Sequence, residues 1–101
     1  MSVMLQTESK PWVHRQDRQG VAYLTMNRPE QYNALSWGML EALIAEVDAI
    51  AQDESVRCVV VSGEGKAFCA GHDLKEMRAN PGKQFQQDLF KLCTRFMTKL
   101  V

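Results

Sequence analysis

The sequence predicts an α/β fold, and three observations predict it. Two short runs of aromatic and β-branched residues lie close together near the start, a helix-periodic stretch follows them, and an uninterrupted β-branched run follows the helix. Strand, helix and strand in that order make a βαβ unit, whose outer strands pair in parallel. With 101 residues, the chain has room for one domain. At 46% hydrophobic and 24% charged residues, it has the composition of a globular protein and not of a disordered one.

Taken in order, residues 1–11 are polar, lack a period and end at Pro11, which predicts a flexible N-terminal arm. Residues 12–17 and 21–26 read as strands of a hairpin, separated by Arg18-Gln19-Gly20. Asn27-Arg28-Pro29 stops the second strand, because proline fixes its own φ and restricts the residue before it. Turn-prone residues continue through Asn33. Ser36 is the expected N-cap of a helix whose buried face carries Leu40, Leu43, Ile44, Val47, Ile50 and Ala51 at helical spacing. Cys58-Val59-Val60-Val61 lacks alternation, the pattern of a parallel strand covered on both faces. Beyond a loop holding Gly63, Gly65 and Gly71, Asp73 with Glu76 three positions on predicts a capping box and a helix start. Asn80-Pro81-Gly82 breaks that helix. Phe85, Leu89, Leu92, Phe96 and Leu100 then form a second long apolar stripe, with Lys91, Arg95 and Lys99 on another face and no stop signal by Val101.

Charge and cysteine usage narrow the function. Twelve basic groups balance twelve acidic ones, which argues against a dedicated nucleic-acid binder. The longest aliphatic run is far shorter than a membrane span. Three cysteines without a CxxC pairing favour free thiols in a reducing compartment, and the expectation is cytoplasmic, with a mitochondrial location left open.

Few residues suggest chemistry by type and spacing. Ser62-Gly63-Glu64-Gly65-Lys66-Ala67 follows a strand but lacks both phosphate-loop and dinucleotide spacing. Cys69 and His72 make neither a zinc site, which needs three or four ligands, nor a dyad with an orienting third group. A packed cysteine and a loop histidine is the simpler reading, and no metal site is expected. Asp73 and Glu76 read more simply as helix caps than as an acid/base pair. What survives is backbone chemistry: Gly71-His72 leads into a helix start, where N–H groups can stabilise an oxyanion.

Three stretches, in this order and spacing, resemble the crotonase family, the enoyl-CoA hydratase and isomerase superfamily. They are Met26-Asn27-Arg28-Pro29 with Tyr32-Asn33-Ala34-Leu35-Ser36, then Val59-Val60-Val61-Ser62-Gly63, then the run from Lys66 through Phe68-Cys69-Ala70-Gly71-His72-Asp73-Leu74 to Met77. The resemblance implies a crotonase-like (ClpP/crotonase) fold built from ββα repeats, of which residues 12–101 would be the N-terminal portion, ending within a helix. It implies an acyl-CoA thioester as substrate and an enolate oxyanion held by two backbone N–H groups, the first being that of His72. Family members often have a small residue there, so the His72 ring either narrows the acyl pocket or points away from it. Gln31, Tyr32, Ala34, Ala70, Gly71, His72, Asp73 and Leu74 would line the CoA-binding region, and Arg28 reads equally as a phosphate contact or a solvated arginine. The expected activity is enoyl-CoA hydratase without a cofactor beyond the substrate's own coenzyme A; the alternative is a non-catalytic acyl-CoA binder or an inactive truncated product. The second amide and the proton-moving acids would lie beyond the matched stretches, and the whole protein would be a homotrimer or homohexamer.

Overall fold

The structure, a computed structural model, describes residues 11–100. The arm expected over residues 1–11 therefore lies outside the described residues, save for Pro11, which is exposed. Strands β1 (Val13–Arg18) and β2 (Val21–Met26) form the hairpin, paired antiparallel from Val13 opposite Met26 to Arg18 opposite Val21. Its turn is the two residues Gln19 and Gly20, both at positive φ, a twist that matches the strands they join. Arg18 thus belongs to the strand and not to the turn.

Helix α1 (Trp37–Ala51) follows a 3-10 turn at Pro29–Gln31. Ser36 caps it as expected, its side chain accepting from the Met39 amide. Leu40, Leu43, Ile44, Val47 and Ile50 are buried together with Met39, while Ala51 turns out exposed at the frayed end. Strand β3 (Cys58–Gly63) pairs with β2 in parallel, so the sheet order is β1-β2-β3. The βαβ reading holds, but β3 is not covered on both faces. Exposed and half-buried residues alternate along it, and Val60 is 41% exposed. α1 lies against β1 and α3 against α1, so among the described residues no element covers the Val60 face.

Two helices complete the chain, α2 (Leu74–Ala79) and α3 (Lys83–Leu100). α3 buries Leu89, Leu92 and Phe96 against α1, and Lys99 pairs with Asp48 at 2.8 Å. Leu100, expected on the buried stripe, is 41% exposed. The core therefore sits between one face of the hairpin, α1 and α3, centred on Ala22, Leu24, Met39, Leu40, Leu43 and Leu89. No helix among the described residues is long and apolar enough to cross a membrane.

Candidate functional site

The residues singled out in the sequence fall into two runs about forty positions apart, residues 31–34 and 70–74. Two backbone hydrogen bonds lay these runs side by side: the Ala70 amide donates to the Tyr32 carbonyl at 3.0 Å, and the Leu35 amide donates to the Gly71 carbonyl at 2.7 Å. The second bond belongs to an isolated parallel bridge between Leu35 and His72. It uses the carbonyl before His72 and leaves the His72 amide without a backbone acceptor among the described residues.

Local sequence explains how each run gets there. The 3-10 turn begins at Pro29, whose missing N–H costs nothing at a helix start. Tyr32 and Asn33 then both adopt positive φ, 53° and 54°. Asparagine tolerates that region; tyrosine does so at a cost, carried here by the bonds around it. Asn33 is fully buried, and its side chain is the main tie of the site. Its Oδ1 accepts from the Arg28 amide at 2.8 Å, and its Nδ2 donates to the carbonyls of Glu64 at 2.9 Å and Ala67 at 3.0 Å. One amide side chain thus joins the loop after β2 to the loop after β3. Sequence reading passed over it as a turn residue, because two of its three partners lie more than thirty positions away.

Two glycines are demanded by geometry. A Cβ on Gly63 would stand 2.4 Å from the Phe68 carbonyl oxygen and 2.8 Å from Asn33 Nδ2, so the loop folds back onto bare backbone. Gly71 has φ +87°, yet a Cβ there would meet no heavy atom within 4 Å. Its constraint is conformational, and the space beside it is open.

The side chains after Gly71 are engaged as caps. Asp73 accepts from the Glu76 amide at 3.1 Å. Glu76 does not complete the expected capping box: its carboxylate accepts from the Trp37 amide at 2.9 Å, at the first turn of α1. The reason is electrostatic, since that amide has no partner within its own helix and the helix start is positive. The His72 ring is turned against α3, edge-on to Phe90 at 5.2 Å between centroids, with Nδ1 buried and without a hydrogen-bond partner among the described residues. Cys69 Sγ lies 3.5 Å from the Gly71 amide and accepts from it. Burial, with a smaller contribution from Cys69, pushes the Cys93 thiol above its ordinary pKa.

The Arg28 guanidinium lies 4.0 Å over the Trp12 ring and 3.7 Å from Glu30, a cation–π contact. Gln31 closes the 3-10 turn, with its carbonyl taken by the Ala34 amide. Tyr32 and Leu74 are 57% and 65% exposed. Two hollows meet the paired runs. One, of about 350 Å³, is lined by Pro29, Glu30, Tyr32, Gly65 and Lys66. The other, of about 230 Å³, has apolar walls and comes up to the runs at their neighbours Leu35 and Cys69. Among the described residues no three His, Cys, Asp or Glu side chains converge as metal ligands would.

Comparison with known proteins identifies the family and the fold. A family model described as enoyl-CoA hydratase/isomerase matches residues 16–100. The chain is 36% identical over 83 residues to the Xenopus laevis protein "Enoyl-CoA hydratase domain-containing protein 3, mitochondrial", covering 82% of this chain and 28% of that one. It is 37% identical over 62 residues to the Escherichia coli 1,2-epoxyphenylacetyl-CoA isomerase, covering 61% of this chain and 24% of that one. Among solved structures, an enoyl-CoA hydratase from Mycobacterium smegmatis superposes with a TM-score of 0.85 at 50% identity, over 89% of this chain and 35% of that one. The chain thus spans about a third of the length of these relatives or less.

Proposed function

The chain belongs to the enoyl-CoA hydratase/isomerase family and has the crotonase fold, and from that premise we propose that it carries one half of an oxyanion hole for an acyl-CoA thioester. The donor is the backbone N–H of His72. One observation supports this above the rest: the backbone bonds just before that amide are made, by the Ala70 amide and the Gly71 carbonyl, while the amide itself has no backbone acceptor among the described residues. Gly71 adds open space beside it.

In this reading the substrate is a 2-enoyl-CoA and the reaction is addition of water across its double bond. As water attacks C3, negative charge moves onto the thioester oxygen, and a fixed N–H aimed at that oxygen favours the transition state more than the ground state. Each such donor contributes on the order of 3 kcal/mol. Asp73 and Glu76 are already committed as caps, and by resemblance to the family the second donor and the acids that move protons are assigned beyond the matched stretches. Gln31, Tyr32, Ala34, Ala70, Asp73 and Leu74 border the coenzyme A, mostly through main-chain atoms. Lys66, in the polar hollow that it shares with Glu30 and Tyr32, is the cation nearest to hand for the coenzyme's anionic half. Residues 12–101 act as the first part of a crotonase-like domain in a homotrimer or homohexamer. Three free thiols suit a reducing compartment, the cytosol in this reading with a mitochondrial location left open.

Half a site binds weakly and does not turn over. A titration of the nitrogen-15-labelled chain with millimolar crotonyl-CoA is expected to shift amides in residues 31–34 and 70–74, with a dissociation constant weaker than micromolar and no loss of enoyl absorbance. Shifts confined to the basic face of α3, or hydration by the pure chain, would overturn the proposal.

A further inference from the structure

Two helix starts meet at one carboxylate. Glu76 lies in the first turn of α2, where its own amide is held by Asp73. Its side chain crosses to α1 and accepts from the Trp37 amide at 2.9 Å. Two residues before Trp37 stands Leu35, whose amide holds the Gly71 carbonyl at 2.7 Å. These contacts close a ring: Leu35 to Gly71 by the backbone, Gly71 along the chain to Glu76, Glu76 back to Trp37, and Trp37 to Leu35. His72 lies inside that ring. Trp37 and Phe85 rings, 5.8 Å apart, brace the same corner from α3.

Neither bond alone fixes the His72 amide. The Leu35 bond holds one atom of the planar Gly71–His72 peptide, its carbonyl oxygen, and glycine at 71 lets that peptide, with its His72 N–H, still pivot about this single point. The Glu76 bond anchors the stretch after it. A negatively charged acceptor at the positive end of the fifteen-residue α1 is a charge-assisted bond of the stronger kind.

We propose that Glu76 is a positioning residue, whose carboxylate on the Trp37 amide ties the start of α2 to the start of α1 and so holds the His72 N–H in a single orientation. Its consequence for substrate rests on the acyl-CoA reading above; its consequence for the backbone does not. Glu76 touches no substrate. It acts through the peptide of Gly71 and His72.

Amide exchange and the crotonyl-CoA titration, run on the 101-residue chain carrying Glu76→Ala or Glu76→Gln, test it together. In Glu76→Ala the Trp37 and Leu35 amides are expected to exchange about tenfold faster, the effect of one hydrogen bond to a charged group, while the Leu24 and Leu43 amides keep their protection. The crotonyl-CoA shift at His72 should fall with them. Glu76→Gln keeps an acceptor oxygen and should restore most of both. If Glu76→Ala does not fold, Glu76→Asp, too short to reach Trp37 with its charge intact, is expected to give the same pattern. Faster exchange confined to Trp37, with Leu35 and the His72 response unchanged, overturns the proposal and leaves Glu76 a cap of α1 alone. Dependence of Leu35 on Glu76 in a chain that never responds to crotonyl-CoA upholds the positioning role and removes the acyl-CoA reading instead.

Discussion

The hairpin with α1 and the loops around α2 are held by different forces. In the first region apolar side chains interlock: Ala22 and Leu24 from β2 meet Met39, Leu40 and Leu43 from α1, all fully buried. In the second, Phe68 and Leu74 are 57% and 65% exposed, and no residue of α2 is buried. Order there comes from polar ties, the Asn33 amide, the Asp73 and Glu76 carboxylates and two backbone bonds. The contrast teaches that this molecule builds its scaffold from nonspecific burial and its candidate site from directional bonds. Directional bonds fix peptide orientation, which is what a backbone donor requires.

The largest effect that could break this contrast is in the core. Leu24→Ala should cost roughly 2–5 kcal/mol, whereas Phe68→Ala, of an even larger side chain, should stay within about 0.5 kcal/mol. Urea denaturation of both variants checks the pair; similar losses would mean that the second region is packed like the first. Asn33→Ala comes next. It strands the Arg28 amide and two carbonyls, and about 3 kcal/mol of destabilisation is expected from unpaired buried groups. A loss below that of an ordinary surface substitution would demote the amide from its role as the tie between loops.

The smallest effect concerns acid, and it sharpens the contrast inside the scaffold itself. Arg15 bonds Asp17 at 2.7 Å and Asp53 at 2.9 Å, tying the hairpin to the segment after α1. The Arg15 hydrogen bond is the main cause that holds the Asp17 carboxyl below its usual range, and the Ser55 hydroxyl and amide do so for Asp53 ahead of Arg15. Carboxyls depressed on folding stabilise the chain above their unfolded value, near pH 4, and that contribution fades as pH falls through the folded values. Wild-type stability should therefore drop below about pH 4, and Arg15→Met should flatten the drop only in part, since Ser55 still holds Asp53. Urea midpoints at neutral and acid pH measure this; parallel losses in both proteins would show that the arginine does not matter.

The same divide governs what could be read in the sequence. Ser36 and the spacing of Leu40, Leu43, Ile44, Val47 and Ile50 gave α1 to its first residue, because caps and helical periods are local. The hairpin and the parallel pairing of β3 were legible for the same reason. The cover on β3 was not: an apolar run records which residues tolerate burial, and Val60 lies open among the described residues. In the site, the runs 31–34 and 70–74 could be named from resemblance, and their adjacency follows from Leu35 and Gly71. The roles of Asn33 and Glu76 were hidden, since each is fixed by a partner more than thirty positions away. The contact of His72 with Phe90 was hidden too, since it depends on where α3 places Phe90, eighteen positions further on.

The orientation of the His72 amide is the centre of this account, and a matched pair of ligands tests it. Crotonyl-CoA and its thioether analogue, in which the carbonyl is a methylene, differ only in the oxygen that the amide would meet. Both should shift the amides that border the coenzyme, but only the thioester should move the His72 amide proton downfield. Equal movement with the two ligands, or none with either while residues 31–34 respond, would contradict it.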